Sequence, residues 1–117
     1  MKFKRFEIWL ADLNPRFGTE AGKTRPVLIV QTNLLNKVHP STVICPITTN
    51  IKEGVNILRV NILKGEGSME KDCSIMIDQI RAIDNKRFVK KIGNLPEPLQ
   101  KKVIENIKIV LEISTGH

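Results

Sequence analysis

Little in this chain is suited to holding a metal or to stapling a fold. Its 117 residues contain two cysteines, Cys45 and Cys73, which stand far apart rather than in a Cys-x-x-Cys pair. Both fall in apolar, strand-like runs, where a free thiol packs as a small hydrophobe in a reducing compartment. The two histidines, His39 and His117, lie in a loop and at the last position. No metal-ligand spacing results, so neither a metal nor another cofactor is expected. No apolar run approaches the ~20 residues that a membrane span needs. The opening Met-Lys-Phe-Lys-Arg could begin an export signal, but Glu7 and Asp12 interrupt the apolar stretch that should follow. A cytoplasmic protein is the expectation. Repeats, low-complexity tracts, linkers and a detached basic tail are all missing, which leaves one domain over residues 1–117.

What is present is a well-supplied core and a positive balance. Apolar residues make up 41%, which argues against disorder. The net charge is +7, with a pI near 9.7. A polyanion or an acidic protein partner follows from that sign, though charge alone does not choose between them. The charge is spread along the chain: residues 1–58 carry 8 basic and 4 acidic residues, and residues 59–117 carry 11 and 8. An anion site must therefore be assembled by folding.

Hydrophobic periodicity gives strands at 7–13, 25–32, 41–47 and 55–63, a β-like stretch at 73–83 and a short strand at 88–92. Polar loops at 14–24, 48–54 and 65–72 separate several of them. From Pro96 or Pro98 the pattern changes: Leu99, Val103, Ile107 and Val110 or Leu111 recur near a 3.6 period, which predicts a helix that Gly116 could close. Ile104, Ile109 and Ile113 widen its apolar face beyond what one sheet needs, which points to cover on two sides or to a dimer. The expected fold is mainly β, a small curved antiparallel sheet or SH3-like barrel with a C-terminal helix docked on it.

The stretch from Gly18 to Val30 runs from a polar loop into the most buried-looking strand, with Arg25 and Pro26 at the junction. A guanidinium held at a sheet edge is a planar fork of donors suited to phosphate. Thr48, at the end of another strand, could add a hydroxyl hydrogen bond. Taken singly these residues have ordinary uses. An arginine before a strand is commonly a surface ion pair, a Thr-Thr pair commonly a turn, and Glu20 a solvated loop charge.

Read together, the motifs carry more. Glu7-Ile-Trp-Leu-Ala-Asp-Leu13, then Pro15, Gly18, Glu20, Lys23 and Arg25-Pro-Val-Leu-Ile-Val30, resemble the opening of the MazF/PemK family of toxin endoribonucleases. Pro46-Ile-Thr-Thr49 resembles that family's second motif and Asp78-Gln-Ile-Arg-Ala-Ile-Asp84 its third. The resemblance covers essentially the whole chain, in order. It implies a homodimer with an SH3-like sheet and a C-terminal helix. It also implies metal-independent, sequence-specific cleavage of single-stranded RNA, with mRNA as the expected target, and restraint by an acidic, MazE-like antitoxin. The family's catalytic arginine falls on Arg25, its catalytic threonine on Thr48, and its acidic loop position on Glu20. Arg16, Phe17, Thr19 and Lys23 fall where the family contacts RNA or antitoxin; Thr49 belongs to the second motif, and Gln79 and Arg81 to the third, near the substrate groove. Lys86, Arg87, Lys90 and Lys91 form the densest basic cluster, either a solvated surface or part of a groove.

Two rival readings make different demands. CcdB-type toxins share the fold, act on DNA gyrase by protein contact and use a Trp-Gly-Ile ending. Here the sequence ends Ser-Thr-Gly-His, and its single tryptophan, Trp9, lies in the first strand. A non-catalytic SH3-like nucleic-acid-binding module would need no Arg25–Thr48 pair.

Overall fold

The computed structural model describes residues 2–54 and 57–114. Its strands are β1 (Glu7–Asp12), β2 (Thr24–Ile29), β3 (Ser41–Thr48), β4 (Arg59–Ile62), β5 (Cys73–Met76), β6 (Arg81–Asp84) and β7 (Phe88–Asn94), followed by helix α1 (Glu97–Val110). They form one open seven-stranded sheet in the order β4-β5-β3-β2-β1-β7, with β6 also paired to β3. The pairings are antiparallel throughout. The sheet is open rather than a closed barrel, with β4 and β7 at its ends.

The sheet has an apolar layer on each face, and this explains why its central strands read as unbroken hydrophobic runs. Ile8, Leu28, Cys45, Ile47 and Ile75 point to one side and pack with Leu95, Leu99 and Val103 around the helix. Trp9, Ala11, Val27, Ile29 and Ile44 alternate with them and form a second cluster with Phe3, Ile83 and Phe88. There the Trp9 ring lies 5.0 Å from Phe3 and 5.7 Å from Phe88, edge to face in both pairs. That geometry suits the aromatic quadrupoles.

Glu7 anchors β1 although it is buried. Its carboxylate accepts from the Trp9 indole Nε1 at 3.0 Å and the Lys4 backbone N–H at 2.9 Å, and pairs with the Lys91 ammonium at 3.0 Å. Burial alone would raise its pKa. The bonds from Trp9, Lys91 and Lys4 outweigh that, and the net displacement is downward.

The helix starts where the prolines place it, with Pro96 as the N-cap and Pro98 in the first turn. It ends at Val110, and the proposed closing residue Gly116 lies outside the described residues. Three expectations are corrected. The stretch 73–83 is two strands, split by a 3₁₀ turn at Ile77–Gln79 whose Ile77 N–H turns away to Leu58 O at 2.9 Å. The strand expected at 55–63 is Arg59–Ile62; Ile57 is exposed, and Val55 and Asn56 lie outside the described residues. β2 stops at Ile29 because the buried Gln31 turns its side-chain oxygen to the Val43 N–H, at 3.2 Å. The last strand, conversely, runs on to Asn94.

The 65–72 loop is docked along β7. A Cβ added at Gly93 would meet Gly67 O at 2.4 Å, so glycine is required for that approach. Among the described residues no helix is long and apolar enough to cross a membrane.

Candidate functional site

The site is built where the β1–β2 loop folds back over the sheet. Its base is closed by Leu13 N–H to Lys23 O at 2.9 Å and Lys23 N–H to the Asn14 side chain at 2.9 Å. Arg87 donates to the carbonyls of Asp12 and Asn14 from outside. Part of the basic cluster is thus structural, since Arg87 pins this loop and Lys91 pairs with Glu7. Near the tip, Glu20 N–H reaches Phe17 O at 3.1 Å and Arg16 Nε donates to Gly18 O at 3.1 Å. The loop is then tied to the third motif. Gln79 accepts from Ala21 N–H at 3.2 Å and donates to Thr19 O at 3.3 Å, bridging about sixty residues of sequence with one side chain.

Arg25 lies where this loop enters β2. It is half-buried, and its Nε donates to Gly22 O at 2.7 Å. That bond fixes the guanidinium plane and leaves the Nη donors for another group. Burial, and then the nearby positive charge of Arg16, lower its pKa from the ordinary arginine value.

Thr48 is set by register. The β2–β3 ladder pairs Leu28 with Cys45 and Val27 with Pro46. That ladder ends at Val27 and Pro46, so Thr48, at the end of β3 beside Ser74 of β5, lies two residues past it, as Arg25 does on β2. The Thr48 hydroxyl oxygen accepts from Asn50 N–H at 3.1 Å, which leaves its own proton free to be donated.

Beside Arg25 opens a cleft of about 580 Å³. Arg16, Thr19, Glu20, Lys23, Arg25 and Gln79, six of the residues expected from the sequence, line it together. Thr48 is outside that lining. Phe17 is 82% exposed on the loop, so it is no anchor packed on the sheet and its ring is available for stacking. Arg81 is half-buried on β6 opposite Ile44, away from the cleft lining. Thr49, a bend residue just past the end of β3, is outside the cleft lining too. It lines a separate, largely apolar groove with Leu10, Pro26, Met69 and Ile92. The loop segment 68–71 borders that same groove rather than the cleft.

Three charged cleft residues were not singled out from the sequence: Lys52, Arg59 and Asp78. Lys52 comes from the 48–54 loop, Arg59 from β4 beside its partner Met76, and Asp78 from the 3₁₀ turn. Asp78 had a signal, since it opens the third motif. Arg59 had none, because a lone arginine in an alternating strand reads as solvent-facing. Among the described residues the lining holds the cations Arg16, Lys23, Arg25, Lys52 and Arg59 against the carboxylates Glu20 and Asp78. This is a concavity with more cations than carboxylates, and the Arg25 guanidinium at its wall is fixed by Gly22 O. Among the described residues no group of three or more His, Cys, Asp or Glu side chains could hold a metal ion. Cys45 and Cys73 are free and buried, and burial pushes their thiols up to about 12 and about 11.

Comparison with known proteins bears on the family and the fold. Residues 4–111 match the family model described as PemK-like, MazF-like toxin of type II toxin-antitoxin system. Endoribonuclease EndoA of Bacillus subtilis (strain 168) is 34% identical over 113 residues, covering 97% of each chain. The crystal structure of MazF (Form-I) from Deinococcus radiodurans superposes with a TM-score of 0.83 at 19% identity, over 97% of this chain and 99% of that one. A MazE-MazF structure (Form-II) from the same organism gives 0.78 at 20% identity, over 97% and 99%. With the fold, the motif order and a relative above 30% identity all in accord, this chain belongs to the PemK-like, MazF-like toxins of type II toxin–antitoxin systems.

Proposed function

We propose that the chain is a sequence-specific endoribonuclease that cleaves single-stranded RNA, with mRNA as the expected target, and that it acts without a metal as the toxin of a type II module. The observation that carries this reading is Arg25. It is fixed by Gly22 O and opens on a cleft richer in cations than in carboxylates.

The reaction is attack of a ribose 2′-oxygen on the adjacent phosphorus. The P–O5′ bond breaks, leaving a 2′,3′-cyclic phosphate and a 5′-hydroxyl. The 2′-proton passes to a base and a proton is delivered to O5′. Arg25 stabilises the charge that grows on the phosphate oxygens and donates the proton to the leaving oxygen. Its lowered pKa favours that donation. Arginine is a poor base, so the 2′-proton goes to the Glu20 carboxylate in the same cleft, or to water. Thr48 donates to a non-bridging oxygen. Gln79, holding Thr19 and Ala21, keeps Glu20 in place.

The toxin works in the cytoplasm as a homodimer and is held inactive by an acidic antitoxin that folds onto it. The net charge of +7 suits such a partner. Incubating the purified chain with a long RNA in EDTA and mapping the cut ends tests the reading. Cuts at one short motif with cyclic phosphate ends are expected. No cleavage, or cleavage only when a divalent ion is added, would overturn it.

A further inference from the structure

Arg59 belongs to two concavities. It lines the cleft beside Arg25 and also a second groove of about 310 Å³, whose other walls are Val60, Asn61, Lys102 and Asn106. The groove lies between β4, which carries Arg59, Val60 and Asn61, and helix α1, which carries Lys102 and Asn106 one turn apart. The cleft therefore continues around Arg59 onto the helix.

Arg59 is held in a way that stability does not explain. Its Nε is buried, with no hydrogen-bond partner among the described residues. A guanidinium donor left without an acceptor is uncommon in folded proteins and usually has a ligand or an ion to account for it. The groove's chemistry fits the same ligand as the cleft. It offers two cations, Arg59 and Lys102, for phosphate, and the Asn61 carboxamide, which carries both donors and acceptors suited to ribose and base edges.

We propose that this groove is a second RNA-backbone subsite. The strand leaves the cleft, passes Arg59 and lays a flanking phosphate against Lys102. The inference rests on the RNA-cleaving reading and adds to it an exit path that discriminates by length. Substrates with a flank on one side of the cut gain affinity that short ones lack.

The test uses Lys102→Ala, because Lys102 is exposed and outside the cleft lining, so its loss leaves the core untouched. Two RNAs carry the same cut motif, one bare and one extended on a single side, each side being tried in turn. Lys102→Ala should raise KM severalfold on RNA extended on one side. Its kcat, its rate on the bare motif and its melting temperature should not move. Lys102→Arg should restore the long substrate. The slope of log affinity against log salt should fall by about 0.7, the share of one phosphate on a single strand. Equal losses on both RNAs, or no loss on either extension, would overturn the subsite. Should the wild type cut neither RNA, the cleavage reading fails. The subsite is then judged alone, by anisotropy with the same oligonucleotides carrying 2′-deoxyribose at the cut. Length-dependent binding lost in Lys102→Ala supports it, and length-independent binding refutes it.

Discussion

At the scale of single residues, the fold relies on Glu7 as much as on any apolar side chain. Its carboxylate satisfies the Trp9 indole and meets Lys91, tying β1 to β7. Glu7→Ala leaves the Trp9 N–H without an acceptor and should cost about 1–3 kcal/mol in denaturant unfolding. Glu7→Gln keeps an acceptor but loses the charge. Because the folded-state pKa of Glu7 lies below its ordinary value of 4.5, its carboxylate stabilises the protein above that pH. The contribution is lost as pH falls through the folded-state value. The stability gap between wild type and Glu7→Gln should accordingly be full near neutrality and shrink as pH drops below about 4.5. A gap independent of pH would show that the carboxylate's charge has no such role. Glu7 was legible in the sequence only as the first letter of a motif and as a break in an apolar run. Its structural role depends on Lys91, which is distant in sequence.

Among the elements, the third motif carries the most consequence. Residues 73–83 read as one β-like stretch because Ile75, Ile77, Ile80 and Ile83 keep apolar residues coming at short spacing. The 3₁₀ turn escapes that pattern, since Ile77 stays buried inside it while Asp78 and Gln79 are thrown toward the cleft. That turn is what lets Gln79 reach the β1–β2 loop. Gln79→Ala should free the Thr19–Ala21 backbone. Amide hydrogen exchange at Ala21 should speed up while the core strands keep their protection, and KM for RNA should rise. Unchanged exchange at Ala21 would mean that the loop is held by its own turns. Other elements were plain in the sequence for physical reasons. Val27 to Val30 reads as a buried run because the sheet has a core on both faces. The helix start is marked by Pro96 and Pro98. Thr49 shows the limit of a motif: it sits next to Thr48 in sequence, yet past the end of β3 it lines the other groove.

For the whole molecule, docking the helix on the sheet leaves an apolar surface uncovered at the helix's C-terminal end. Val103 and Leu99 bury one stripe of α1, while Ile109, Leu111 and Ile113 remain more than half exposed around its C-terminal end. This is the second side the sequence anticipated, and we assign it to the homodimer. Ile109→Glu should shift sedimentation from dimer to monomer without unfolding the sheet; an unchanged dimer would place the contact elsewhere. The cleft is likewise a property of the whole chain. Its lining comes from the β1–β2 loop, β2, the 48–54 loop, β4, β5 and the 3₁₀ turn. The motifs point to the first two and the last of these. Lys52 and Arg59 were hidden because only the tertiary fold brings them there.

The central claim is that Arg25 and Thr48 act as one centre on RNA. Single-turnover cleavage of a long RNA in EDTA, comparing wild type with Arg25→Ala and Thr48→Ala, tests it most directly. Each substitution should slow cutting at the same motif by roughly 100-fold or more, the usual cost of removing one donor from a developing oxyanion. Melting temperatures should stay close to wild type. Cutting at undiminished rate in both variants would contradict the assignment.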